Sequence, residues 1–177
     1  MEADRVKRVP APVEQLLRGL DEAFDRKAWH GPTLRGALRG VSARQAAWRP
    51  LPHSHNIWEL AVHAAYWKHA VCRLLVGGKR GSFPLKGSNW FERPSSASDA
   101  KATLDAAWRA DVRLLQDEHR LLRRAIATVD GAALDRRPRG KAYSTGFVLR
   151  GIAAHDLYHA GQVQLLKRLY KLTGTTG

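Results

Sequence analysis

A chain of 177 residues, 44% of them hydrophobic, is long enough to bury one core, and its abundance of Ala, Leu and Arg over β-branched residues favours helices to strands. Its one cysteine, Cys72, excludes an internal disulfide and a thiolate metal cluster, and no window approaches the length of a membrane span. The formal charge of +14, with 21 Arg to 9 Lys, would suit a polyanionic partner, but it is scattered, densest at Arg120, Arg123 and Arg124 and at Arg136, Arg137 and Arg139. Without a basic stripe interleaved with aromatics, that pattern reads as a solvated surface before it reads as a nucleic-acid face.

The opening Met1 to Arg5 lacks the apolar run of a secretory signal. A single all-α domain over residues 1–177, soluble and cytoplasmic, with no membrane partner, is therefore expected.

Val13, Leu16, Leu17, Leu20 and Phe24 recur at spacings of three and four, predicting a first helix over Pro12 to Lys27 with Pro12 in its first turn. From Trp29 to Pro52 the glycines and prolines leave room only for short helical turns, one of them over Ser42 to Ala47. Asn56 with Glu59 three residues on fits a capping box, and a second helix follows to about Leu75, ended by Gly77 and Gly78. Leu60, His63, Trp67 and Leu74 share one face of it, while Trp58, Val62 and Ala65 make the opposite face apolar as well. Something must cover that back, and a second subunit is one candidate.

Residues Gly77 to Ser98 read as a long loop whose Trp90 and Phe91 either line a pocket or pin the loop to the bundle. A third helix spans Ala100 to Thr128 with a stripe of Leu104, Trp108, Val112, Leu115, Leu122 and Ile126, and His119 falls on that stripe. A second loop, Asp130 to Ser144, leads to a fourth helix over Thr145 to Leu172.

That last helix carries His155 and His159 four residues apart, a spacing that stacks two imidazoles on one face with Val148, Ile152, Gln162 and Leu166, about 5–6 Å apart at Cβ. Asp156, Gln164, Lys167, Arg168 and Lys171 point elsewhere. Histidines among aliphatic groups need partners for their nitrogens, which a metal with its own surrounding hydrogen bonds provides. His63 lies on the core face of the second helix, so three histidines from two helices can form a tripod that leaves a coordination position open, as in a catalytic zinc site.

The residues Asn56-Ile57-Trp58-Glu59-Leu60-Ala61-Val62-His63 followed by Trp67, the run His155-Asp156-Leu157-Tyr158-His159-Ala160-Gly161-Gln162, and the 91 residues between the two histidine elements resemble the DinB-like superfamily of four-helix metalloproteins. The resemblance covers nearly the whole chain. It implies an up-down-down-up four-helix bundle with long interhelical loops, His63, His155 and His159 as ligands to zinc or nickel, a homodimer, and a metal-dependent hydrolase or thiol-dependent transferase. A stretch like Trp29-His30-Gly31-Pro32 recurs in a branch of that family and is expected to close over the metal pocket.

Other residues carry competing roles. Glu59, one turn before His63, is a general base or extra ligand in one reading and half of the capping box in the other. Asp156 is a methylene shorter than the glutamate of a zinc protease and off the site face, which argues against proteolysis. Gln162 is placed to hold an imidazole or a water, and Tyr158 and Tyr66 border the site as proton donors. His119 is a possible fourth contact, His53, His55 and His69 read as surface or locally paired groups, and Cys72 as an apolar filler.

The reading is a metal-dependent enzyme that activates water for hydrolysis, or a low-molecular-weight thiol cosubstrate for transfer, on a small-molecule substrate, with Glu59, Gln162 and Tyr158 assisting and Arg150 binding carboxylates. The alternative is a non-catalytic basic protein that binds nucleic acid and keeps a structural metal.

Overall fold

Pro10 and Pro12 open the first helix, where a missing N–H costs nothing, and the computed structural model, which describes residues 8–78, 81–94 and 101–173, shows α1 at Ala11–Phe24. It ends three residues before the expected Lys27, because Asp25 leaves helical geometry and the Asp25 and Arg26 N–H groups both close on the Asp21 carbonyl. Two single-turn helices follow, α2 at Leu34–Leu38 and α3 at Ala43–Ala47. Their caps are the hydroxyls of Thr33 and Ser42, which accept from Gly36 and Gln45.

The capping box is present as the sequence requires, with the Asn56 side chain accepting from the Glu59 N–H and the Glu59 carboxylate accepting from the Asn56 N–H, and α4 runs over Ile57–Leu75. α5 spans Lys101–Ala127, a 3₁₀ turn occupies Gly131–Ala133, and α6 spans Thr145–Thr173. Among the described residues there is no strand, and no helix is long and apolar enough to cross a membrane.

Side-chain pairs fix the bundle's topology. Trp58 donates to Asp111 and His69 lies against Glu118, so α4 and α5 run parallel. Arg123 pairs with Asp21 and His119 stacks on Phe24, making α1 antiparallel to α5. His63 meets His159 while Lys68, further along α4, meets Asp156, earlier in α6, so those two helices are antiparallel. The four long helices are therefore up, down, down and up in chain order.

The apolar back of α4 has its cover inside the chain. Trp58 packs edge-on against Trp108 of α5, and Trp58, Val62 and Ala65 are fully buried, so no second subunit is needed there. Packing on both faces explains why this helix is greasy all round. α2 packs on the C-terminal part of α6, where Lys167 donates to the carbonyls of Ala37 and Arg39 at 2.8 and 3.1 Å and satisfies acceptors at the end of α2, while α3 packs on α4 and α5.

Candidate metal centre

His63, His155 and His159 meet. Their ligand atoms all lie within 4.8 Å of one another, and the Nε2 of His155 is 3.1 Å from that of His63 and 3.0 Å from that of His159. Bonds of about 2.0–2.1 Å from one shared ion bring nitrogens to about this separation.

The other nitrogens show which way the lone pairs face. His63 Nδ1 lies 2.8 Å from the backbone carbonyl of Asn89, a group that can only accept, so Nδ1 carries the proton and Nε2 presents its lone pair. His159 Nδ1 donates to Gln162 Oε1 at 2.6 Å, with the same consequence. These are the outer hydrogen bonds that fix the tautomer of a metal-ligating histidine. His155 Nδ1 is buried and has no hydrogen-bond partner among the described residues. Two lone pairs aimed at a third imidazole are poorly served by hydrogen bonds among the three rings, since one ring has a single Nε2 proton to offer. The donor set fits a divalent cation, which three neutral imidazoles could hold.

Burial disfavours the charged form of all three rings. Burial, reinforced by its two neighbouring histidines, pushes His155 down to about 3. Burial pushes His159 to about 4 against the opposing bond from Gln162, and also lowers His63.

The 81–94 segment forms one wall. Asn89 adopts a left-handed conformation (φ 62°), one that asparagine tolerates better than most side chains, and this turns its carbonyl to His63 while its side-chain Oδ1 accepts from Trp67 Nε1 at 2.9 Å. The next residue, Trp90, stacks on His63 at 3.9 Å between centroids and on His55 at 3.5 Å, so the indole is held between two imidazoles. Beyond Trp90 lies a cleft of 340 Å³ lined by Arg49, His53, His55, Glu59 and Glu92.

On the far side of His155, Asp156 pairs with Lys68, and both side chains are wholly buried. Burial pushes the Asp156 carboxyl up, and the Lys68 ammonium beside it pulls it back. Because Asp156 adjoins His155 and Lys68 lies five residues after His63, this pair ties α4 to α6 at the level of the trio.

The sequence-predicted residues divide. Gln162 touches His159, and Tyr158 lies beside it with ring centroids 5.1 Å apart, yet 64% exposed. Glu59 is outside the trio. Arg49 grips both its carboxylate oxygens, His55 Nδ1 lies 3.2 Å away, and it caps α4. Burial alone would raise its pKa, but Arg49 and His55 hold it below the usual range.

His119 is not a fourth contact. It is buried against Phe24 with Nε2 3.6 Å from Asp21, because α5 turns that part of its stripe toward α1. Trp29 is 101% exposed and His30 also faces solvent, so the Trp29–Pro32 turn does not close over the site. Arg150 lines a groove between α1 and α6 with Gln15 and Arg18, away from the histidines. Trp67 is half-exposed, Tyr66 packs on Phe83 and Phe91, and Cys72 is buried in the apolar cluster that also holds Val13 and Leu149. Phe91 belongs to the core, whereas Trp90 lines the site.

Asn89 and the Lys68–Asp156 pair escaped the sequence reading. A backbone acceptor in a loop leaves no residue-type signal. Lys68 and Asp156 look like surface charges until their helices are packed together, although the apolar faces around Lys68 were a clue.

A family model of the DinB superfamily matches residues 27–163. No curated protein and no solved structure matches the chain significantly.

Proposed function

The chain belongs to the DinB superfamily, and from that premise we propose that it is a metal-dependent enzyme whose His63, His155 and His159 hold one divalent ion, zinc or nickel, beside a small-molecule substrate. The observation that carries this reading is the convergence of three Nε2 atoms around His155, with the outer nitrogens of His63 and His159 already committed to Asn89 and Gln162. When bound, such an ion supplies Lewis acidity that brings the pKa of a water or a low-molecular-weight thiol toward neutrality.

The protein's own residues do the rest. The Asn89 carbonyl and Gln162 hold two imidazoles in the ligating tautomer, and Lys68 with Asp156 fixes the height of α4 against α6. Trp90 and Trp67 wall off solvent on one side, and Tyr158, whose ring lies beside that of His159, is the candidate proton donor for a leaving group. Glu59 works at a distance in this reading: through Arg49 and His55 it braces the ring stack behind His63. The reaction is hydrolysis with water or group transfer with the thiol.

Ion pairing favours this reading over the nucleic-acid alternative. Arg35, Arg49, Arg93, Arg120 and Arg123 are bonded to carboxylates of the same chain, which lowers the number of arginines available for phosphates. Metal analysis of the protein as purified tests the proposal. Near one zinc or nickel per chain, lost in His155→Ala and in His159→Ala, is the expected result; no divalent metal, or content unchanged by both substitutions, overturns it.

A further inference from the structure

Basic side chains without a carboxylate partner gather at one end of the bundle. Hydrogen bonds from the Thr145 N–H to the Arg136 carbonyl at 3.0 Å, and from the Gly146 N–H to the Leu134 carbonyl at 2.7 Å, close the second loop on the start of α6. Arg136, Arg137, Arg139 and Lys141 are exposed on that closed loop, and Asp135 is the one acidic residue from Leu134 to Arg150. Lys141 reaches the end of α4, where it lines a cleft of 390 Å³ with Arg73, Leu74, Gly77 and Gly78. The ion pairs that occupy arginines elsewhere among the described residues involve none of these five basic groups.

Two aromatic rings stand beside this charge. Tyr143 and Phe147 are 58% and 52% exposed, and they stack at 4.6 Å between centroids with their planes 15° apart. Their contact covers one face of each ring and leaves the other open to a further planar group. Along the sequence the charge makes no long stripe, but the closed loop compacts it around the two rings. Open aromatic faces beside basic groups are what hold unpaired bases and their phosphates. The phosphates fall to side chains rather than to the N-terminus of α6, because the N–H groups of Thr145, Gly146 and Phe147 are already taken by Arg136, Leu134 and the Ser144 hydroxyl.

We propose that this end of the bundle docks a single-stranded nucleic acid, with phosphates on Arg73, Arg136, Arg137, Arg139 and Lys141 and a base stacked on the Tyr143–Phe147 pair. A duplex hides its base faces, so it offers charge to the basic groups and nothing to the rings. An anionic membrane would meet the same charge, but binding at a membrane surface also buries a set of apolar side chains. From Leu134 to Arg150 the two stacked rings are the only large hydrophobic side chains exposed.

The surface is separate from the metal centre. His155 lies ten residues into α6 from Thr145, and Arg73 lies ten residues beyond His63 on α4. Each interval is about 15 Å along the helix axis. The proposal therefore assumes nothing about the ion, and it adds a partner to the metal protein without replacing its site.

Fluorescence anisotropy with a labelled oligonucleotide of about twelve nucleotides, alone and annealed to its complement, tests the proposal. The strand is expected to bind with a dissociation constant on the order of 10⁻⁶ M at low salt, and log affinity should fall against log salt with a slope of about −3.5, the value for five phosphates. Tyr143→Ser/Phe147→Ser should weaken the strand roughly 5–100-fold and leave the duplex little changed. Arg136→Gln/Arg137→Gln/Arg139→Gln should make the slope shallower by about 2. Arg18→Gln/Arg44→Gln/Arg109→Gln removes the same charge from other exposed positions and should leave slope and affinity close to those of the unmodified chain. No binding of the strand at low salt, equal losses in the two triple variants, or a strand affinity indifferent to loss of the rings overturns the surface. Capture by phosphatidylserine vesicles that depends on Tyr143 and Phe147, without binding of the strand, overturns it in favour of a membrane. All the substituted side chains are exposed, so metal content and melting temperature should hold in every variant, and the functional proposal stands or falls on its own measurement.

Discussion

His63 donates its Nδ1–H to the carbonyl of Asn89 at 2.8 Å, and Asn89 presents that carbonyl from a left-handed backbone. A conformation in a loop thus sets the tautomer of a ring in a helix 26 residues earlier. Asn89→Gly preserves both the conformation and the carbonyl, and should keep metal affinity close to that of the unmodified protein. Asn89→Val places a β-branched residue at positive φ, at a cost of roughly 1–3 kcal/mol, and should weaken binding about 10–100-fold. Competition against a chromophoric chelator measures both.

Ligand removal is expected to appear in thermal stability. An ion present at a hundred times its dissociation constant contributes about 2.7 kcal/mol, roughly 5–10 °C in a chain of this size. A strong chelator should therefore lower the melting temperature of the unmodified protein by that order and leave His159→Ala where it was. His119→Gln and Trp29→Ala, which change residues outside the trio, should respond to chelator like the unmodified protein; a lost response would return either residue to the site.

The buried Lys68–Asp156 pair is a stability element with a definite sign. Lys68→Met leaves a carboxylate buried alone, which costs about 3–5 kcal/mol. Combining it with Asp156→Leu should recover most of the loss, since two apolar groups need no partners. Urea denaturation of the two single variants and the double variant gives the coupling; equal losses in Lys68→Met and the double variant would count against a mutually dependent pair.

His119 gives an acid-sensitive contribution. Burial, helped by the positive charge of Lys68 and Arg123, pushes it from the ordinary 6.5 to about 3. The folded ring resists a proton that the unfolded chain accepts below about pH 6.5, so stability is constant above that value and falls as pH drops toward 3. Each pH unit in that window takes about 1.4 kcal/mol through this one group. The slope of unfolding free energy against pH should be shallower by about that amount in His119→Gln, and identical slopes would refute the assignment.

Much of this molecule is written locally. Helical periodicity over Val13 to Phe24 and Leu104 to Ile126, the Asn56–Glu59 box, and the four-residue step from His155 to His159 depend on neighbours a turn away, so they are legible without tertiary structure. The convergence of His63 with that pair was legible for a related reason: a histidine on the core face of one long helix has few places to go other than the core face of another.

Helix packing and loop paths decided the rest. Which carbonyl reaches His63, which aromatic ring lies on it, and whether Trp29 covers the site depend on the course of residues 25–55 and 81–94, where turns rather than periodicity set direction. Lys68 and Asp156 became core residues, and Glu59 a brace bound to Arg49, only once α4 had neighbours on both faces. The sequence by itself determined the helices and the face that carries His155 and His159, because those follow from spacing along one chain segment. Tertiary structure alone decided what orients His63 and which ring lies on it, because Asn89 and Trp90 come from a segment whose meeting with α4 is an outcome of folding.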